Sequence, residues 1–374
     1  MKHKLFGHTI DVRSTLSVIE QVTDILRTEI KNGRWNTGDR LPTTAELSEA
    51  TGIGATTISK ALSALADEGQ IDRQVGRGSF VLATDMLRKR TGMIAVVPGG
   101  SWSPGYSIDP SWPFVHFLIE RIDFELAQCG YKSQLLHRHD FQDQTSNGRE
   151  MQKFDGLINI GAISSEFVQQ MQHLRMPLVC LGTTDTPPGV PYVAADDRNE
   201  MWMAVDRLME SRHRKIGLVS TFPGQMNRQV RLRRDAFLAA CGHAGVNVRE
   251  EWIVNFNYNA TGQIALMRDY LAREDRPTAV VCAYMPAAKA VYEAADLLGM
   301  SIPRDLSVIG LSPLPEEGSE YHPPLTTLVA NLAGQAAQAV RLIIEMVREG
   351  ITPICEGNLV RSVWTPRSSI SAPK

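Results

Sequence analysis

The chain has 374 residues, of which 43% are hydrophobic, and a formal net charge of −2. That length exceeds one ordinary core and points to two or three domains. The longest apolar runs, residues 93–97 and 279–283, are strand-length and exclude a helical membrane span. Residues 1–90 carry a net +2 and the remainder −4, so charge alone does not announce nucleic-acid binding. The start, MKHKLFGHTIDVRS, has basic residues but no apolar h-region, and export is not expected. Cys129, Cys180, Cys241, Cys282 and Cys355 are dispersed without a CxxC pair, which argues against a disulfide framework and fits a reducing cytoplasm.

Leu16, Ile19, Val22, Ile25, Leu26 and Ile30 recur at helical spacing and predict an amphipathic helix over residues 15–32, capped by Ser14 or Thr15. Pro42, Thr43 and Thr44 open a second helix, with Leu47 facing inward. Residues 51–54 form a turn, and 55–68 a third helix buried along Ile58, Ala61, Leu62 and Leu65. Short strands at 71–74 and 79–82 flank Val75, Gly76, Arg77 and Gly78. This is the order of parts in a winged helix-turn-helix, which lays one helix in the major groove of double-stranded DNA. Thr43, Thr44, Thr56, Thr57, Ser59, Lys60 and Arg73 offer donors to phosphates and base edges. Gly76, Arg77 and Gly78 would bring the wing tip close to the duplex. The competing use of such a domain is contact with protein.

The wording of this stretch is specific. Gly38-Asp39-Arg40-Leu41-Pro42, Glu46-Leu47, Thr56-Thr57-Ile58 with Ala61-Leu62, Glu68-Gly69 and Gly76-Arg77-Gly78-Ser79-Phe80-Val81 resemble the GntR-type DNA-binding domain. Arginines that the family usually carries are replaced here by Ala45, Ala55 and Ser59. The resemblance therefore implies a DNA operator reader with a divergent site, because each lost bidentate contact removes roughly 1–3 kcal/mol of base discrimination. It also implies a shallow salt dependence.

The expected domains are 1–83 for the reader, 84–91 for a polar, basic linker and 92–374 for the remainder. In the last part, strand and helix patterns alternate from Gly92 to Gly310, which predicts an α/β fold of parallel sheets flanked by helices. A ligand cleft would lie between two such sheets, at the strand carboxyl ends.

Tyr192-Val193-Ala194-Ala195-Asp196, His213-Arg214-Lys215-Ile216-Gly217, Arg233 with Ala236-Phe237, Ile302 through Gly310 and Pro324-Leu325-Thr326-Thr327-Leu328 resemble the LacI/GalR-type effector domain, a periplasmic-binding-protein-like fold. A GntR reader on such a sensor looks like the arabinose-repressor type of regulator. The similarity implies one subdomain of residues 92–195 and 314–349, and another of 196–312 and 352–374. It also implies a homodimer gated by a small ligand, commonly a sugar.

Arg233 stands at that family's ligand-binding arginine and Asp196 at its hinge aspartate. Two acids usual in such clefts are replaced, one in Tyr284-Met285 and one by Ser312. Trp102, Trp112, Phe114 and Tyr258 add aromatic surface. The expected pocket is more aromatic and less acidic than a typical sugar site, favouring a sugar derivative, an anionic sugar or a nucleoside-like molecule.

No enzyme, cofactor or metal site is expected. His137-Arg138-His139-Asp140 reads as a solvated turn, and Pro98-Gly99-Gly100-Ser101 lacks the Lys-Ser/Thr of a phosphate loop. The rival is an aminotransferase-like pyridoxal-phosphate fusion, but Lys289, alone between Lys215 and Lys374, falls inside a predicted helix. A regulator with a degenerate cleft is the third reading.

Overall fold

A computed structural model describes the chain apart from residues 1, 12, 15, 37, 75, 82–89, 99–112, 137–150, 152, 175, 222–227, 258–260 and 350–357. It divides into two compact units, Met1–Thr91 and Gly92–Lys374.

The first unit is built on three helices, α1 (Val18–Lys31), α2 (Thr44–Thr51) and α3 (Ala55–Asp67). Each of the first two starts where a side chain can replace missing helical partners. Ser17 accepts from the Glu20 amide while Glu20 returns a bond to the Ser17 amide, and Thr43 and Glu46 do the same. The cap of α1 is thus Ser17, two residues beyond the expected range, and Leu16 is exposed rather than part of the buried stripe. Gly52 closes α2 in the left-handed region that glycine tolerates. β3 (Ile71–Gln74) and β4 (Gly78–Val81) pair antiparallel as the wing. A hairpin absent from the sequence reading precedes all of this: β1 (Lys2–Leu5) paired with β2 (His8–Asp11). Leu5 and Ile10 enter the same core as Val22, Leu26, Leu47, Ile58 and Leu62.

The second unit holds two six-stranded sheets. The first runs β15-β9-β8-β7-β5-β6, from β5 (Met93–Pro98), β6 (Lys132–Leu135), β7 (Gly156–Ile160), β8 (Leu178–Leu181), β9 (Tyr192–Ala195) and β15 (Leu359–Val360). All its pairings are parallel. The second runs β11-β10-β12-β13-β14-β16, from β10 (Ile216–Thr221), β11 (Ile253–Phe256), β12 (Ala279–Cys282), β13 (Ser307–Ser312), β14 (Thr326–Val329) and β16 (Val363–Thr365). Only β16 is antiparallel to its neighbour. Continuous apolar strands such as β8, β12 and β13, buried on both faces, are what parallel sheets covered by helices require.

Among the described residues, the main helices of this unit are α4 (Pro113–Gln128), α5 (Ser165–His173), α6 (Asp197–Glu210), α7 (Arg228–His243), α8 (Gln263–Leu271), α9 (Met285–Leu297) and α10 (Leu332–Glu349). α4 and α10 pack together over the first sheet. α6 and α7 cover one face of the second sheet, and α8 and α9 the other. Among the described residues no helix is long and apolar enough to cross a membrane.

The chain passes between sheets after β9, after β14 and between β15 and β16. The first passage lies at Asp196, as expected. The other two correct the sequence-based division. β14 is buried along its length and hydrogen-bonded to β13, so 314–349 splits between the sheets rather than joining the first. β15 pairs with β9, so the first part of 352–374 belongs to the first sheet. A strand followed by a helix carries the same pattern whichever sheet receives it, so periodicity could not decide.

Candidate nucleic-acid interface and effector cleft

In the first unit the turn at 52–54 delivers α3 with an open N-terminus. Gly54 supplies no side-chain cap and the first turn carries no acid, which leaves amide donors suited to phosphate. Thr56 and Lys60 are exposed, while Thr57 and Ser59 are half-buried. Thr43 spends its hydroxyl on the α2 cap, and Thr44 begins that helix. Gly76 and Gly78 have φ of 76° and 115°, and Arg77 is exposed between them.

Arg73 crosses from the wing to α3. Its guanidinium donates to the Ser63 hydroxyl at 2.6 Å, the Ser59 carbonyl at 3.1 Å and the Ser59 hydroxyl at 3.3 Å. It therefore fixes the wing against α3 and places a cation at Ser59, one of the positions that lack an arginine. Arg40, which the sequence reading passed over, lies against the wing, and a Cβ at Gly78 would stand 2.6 Å from its Nε.

In the second unit, Arg233 on α7 is nearly buried between two acids of α6. Its Nε donates to Asp197 Oδ1 at 2.7 Å, its Nη1 donates to the Ala283 carbonyl at 3.1 Å, and its Nη2 is 3.8 Å from Glu200 Oε2. Both carboxylates are only 3% exposed. The Ser362 hydroxyl, between β15 and β16, donates to Glu200 Oε1 at 2.5 Å, so the cluster touches a passage between the sheets. Burial pushes the Glu200 carboxyl up to about 7; Arg233 pulls it back and Asp197 raises it further. Burial opposes the Arg233 charge, but the two carboxylates outweigh it and hold its pKa above the usual value. The Tyr284 ring centroid lies 5.6 Å from the guanidinium carbon.

Several buried polar atoms around the strand ends lack a hydrogen-bond partner among the described residues: Asn159 Oδ1 on β7, Thr184 Oγ1 beyond β8, Ser220 Oγ on β10, Asp197 Oδ2 and Glu200 Oε2. Arg228 on α7 reaches the Thr184 carbonyl at 3.3 Å, linking the element after β10 to the one after β8. Carboxyl ends of parallel strands are where open α/β sheets hold ligands, and a buried polar atom left unpaired costs about 1–3 kcal/mol until something satisfies it.

Asp196 caps α6 through the Asn199 amide at 3.0 Å. Phe114 packs against the core of the first sheet and Met285 against that of the second. The Ser312 hydroxyl donates within its own loop, at 2.7 Å to the Leu314 carbonyl and 3.0 Å to Glu317. Trp102, Trp112, Tyr258 and the 137–140 segment lie outside the described residues. Asp197 and Glu200 were missed because acids in the first turn of a helix read as ordinary dipole partners. Lys289 lies exposed on α9, and among the described residues no group of acids, histidines and cysteines could hold a metal.

Comparison with known proteins matches both units. Residues 18–81 match the model of bacterial regulatory proteins, gntR family, and residues 205–370 that of the periplasmic binding protein-like domain. Curated relatives include HTH-type transcriptional repressor PurR of Mannheimia succiniciproducens, 25% identical over 243 residues, covering 63% of this chain and 71% of the relative. The repressor of the same name from Yersinia enterocolitica is 28% identical over 226 residues, covering 58% of this chain and 64% of the relative, just under two thirds of its length. A ribose-bound LacI family transcriptional regulator of Enterococcus faecium superimposes with a TM-score of 0.60 at 19% identity, over 75% of this chain and all of that one. These relatives are regulators of transcription, not enzymes.

Proposed function

We propose that this chain, a DNA-binding transcriptional regulator with a GntR-family reader and a periplasmic-binding-protein-like sensor, is a cytoplasmic repressor whose grip on its operator is set by a small polyhydroxylated ligand. The carrying observation is the buried Arg233–Asp197–Glu200 cluster, together with the unpaired polar atoms of Asn159, Thr184 and Ser220 at or just beyond strand ends. A guanidinium flanked by carboxylates presents donors and acceptors together, the complement of adjacent hydroxyls on a sugar or sugar derivative. The acids replaced at 284–285 and 312 thus have counterparts on α6, and Tyr284 supplies an aromatic wall. In the reader, Thr56, Thr57, Lys60 and Arg77 would meet the operator, with Arg73 holding wing to helix.

Ligand control follows from the passages between the sheets. Asp196 and Ser362 lie at two of them and are tied to α6 directly or through Glu200. A ligand that satisfies the cluster would favour one relative setting of the sheets, and linkage then couples that setting to DNA affinity. A homodimer is supported by Phe117 and Phe124 on α4 and Leu135 on β6, large apolar side chains that are 40%, 51% and 41% exposed. Pairing would set the spacing of two operator half-sites.

A thermal-shift screen of sugars, sugar acids, polyols and nucleosides tests the reading. A ligand should raise the melting temperature of the full chain by linkage, and Ser220→Ala or Asn159→Ala should weaken it at least several-fold in calorimetry. No hit in any class would favour a degenerate cleft, and a hit indifferent to both substitutions would move the site elsewhere.

A further inference from the structure

The β1–β2 hairpin lies outside the 18–81 stretch that matches the gntR family model. It is nonetheless part of the reader's body. Leu5 and Ile10 are 2% and 0% exposed in the common core. Phe6 at the hairpin tip meets Trp35 edge to face at 5.3 Å, with the Arg34 guanidinium 4.2 Å above its ring. The Asp11 amide donates to Gln21 of α1 at 2.9 Å. Side chains alternate along the ribbon: His3, Leu5 and Ile10 turn toward the body, while Lys4 and its cross-strand partner Thr9 are exposed.

The location of that ribbon matters more than its existence. The His3 ring lies against the turn between α2 and α3, its Nδ1 donating to the Thr51 carbonyl at 2.6 Å. A Cβ at Gly52 would touch the same ring at 3.5 Å. Gly52 is two residues before Gly54, the N-cap of α3, whose uncapped first turn has amide donors suited to phosphate. The hairpin therefore flanks the N-terminal end of α3. It also leans basic: residues 2–11 hold Lys2 and Lys4, with His3 and His8, against Asp11 as the one acid.

We propose that the β1–β2 hairpin is a second DNA-contacting element, which grips the phosphate backbone beside the groove entered by α3 through the exposed Lys4 and Thr9, with His3 anchoring it to the helix-turn-helix. The proposal rests on the reading of the first unit as an operator reader. It also alters the salt dependence expected from Ala45, Ala55 and Ser59: cations lost from the helices are partly returned by an element of different origin. Phosphate contacts carry no base information, so the hairpin adds affinity and register rather than sequence preference.

The test uses the full chain and a duplex selected by it from fragmented genomic DNA, titrated at several salt concentrations. Each phosphate contact adds about 0.9 to the slope of log K against log salt. Lys4→Ala should reduce the slope by about one and weaken binding several-fold at 100 mM salt, with the ranking of mismatched duplexes unchanged. Thr9→Lys, on the same face, should steepen it by a similar amount. Slopes unchanged in both variants, with melting temperatures at the wild-type value, would overturn the proposal. Wild-type protein that selects no duplex would instead refute the reader itself, and the hairpin's role with it.

Discussion

Replacing Arg233 by alanine should destabilise the second unit far more than loss of a surface cation, and by an amount that depends on pH. The guanidinium is 11% exposed and is the counter-charge for Asp197 and Glu200, each 3% exposed. Removing one partner of a buried pair leaves an uncompensated charge and typically costs about 3–5 kcal/mol. Here two carboxylates are stranded together; among the described residues Asp197 keeps the 3.3 Å bond from Gln229 and Glu200 that from Ser362. Glu200 is already pushed up to about 7, mainly by burial. A carboxyl whose folded pKa exceeds its unfolded value binds more protons when folded, so its contribution to stability falls as pH rises from about 4.5 through 7. Arg233→Ala removes the group that lowers this pKa, which steepens the fall and extends it above 7. Urea unfolding followed by the fluorescence of Trp202 and Trp252 should show a loss of about 3–5 kcal/mol at pH 8 and clearly less at pH 5. Adding Glu200→Gln should recover part of the loss at pH 8. A loss below about 1 kcal/mol at pH 8, or one identical at both pH values, would refute the reasoning.

Three further outcomes follow from the packing. His213 is buried and bonded to Thr278 at 2.9 Å, Ser307 at 3.0 Å and the Ser371 carbonyl at 2.8 Å, and burial lowers its pKa. The unfolded chain then binds the proton more readily, so wild-type stability should fall as pH drops below about 6.5. His213→Gln should flatten that part of the stability profile; an unaltered profile would exclude His213 as its source. Gly217→Ala would drive a Cβ into the Tyr270 hydroxyl and to 2.9 Å from the Trp252 backbone carbonyl, which should lower stability by about 1–3 kcal/mol or more in thermal melts. Arg73→Ala unties the wing from Ser59 and Ser63. Operator affinity should fall about tenfold in anisotropy titrations, the equivalent of roughly 1.4 kcal/mol, while melting of the reader changes little because these bonds are exposed.

The reader was legible because its signals are local. Helical spacing marks Val22, Ile25, Leu26 and Ile30, and the helix start at Pro42, Thr43 and Thr44 and the glycine-tipped wing each lie within a few residues. The β1–β2 hairpin was not legible: four-residue strands with Leu5 and Ile10 as their inward apolar residues give no sustained alternation. In the second unit, buried strands such as Val308 to Leu311 stood out as continuous apolar runs. Their assignment to sheets did not: β15 is placed by β9, far away in sequence, and nothing in the local pattern of β14 says that it stays beside β13 before the chain crosses. The buried Arg233 cluster shows the same limit. Arg233 was singled out from its surroundings in α7, but Asp197 and Glu200 join it only through contacts with a side chain more than 30 residues away. Ser312 illustrates the converse, a residue at an expected position whose hydroxyl is taken up by its own loop.

The most direct test of a ligand-controlled operator reader is a titration of the full chain against its selected duplex, with and without each compound that raises its melting temperature. The account predicts sequence-specific binding, at least 10³-fold tighter than to random duplex at the same salt, and a change in Kd of about fivefold or more with at least one compound. Specific binding with a Kd indifferent to every compound that stabilises the protein would contradict it.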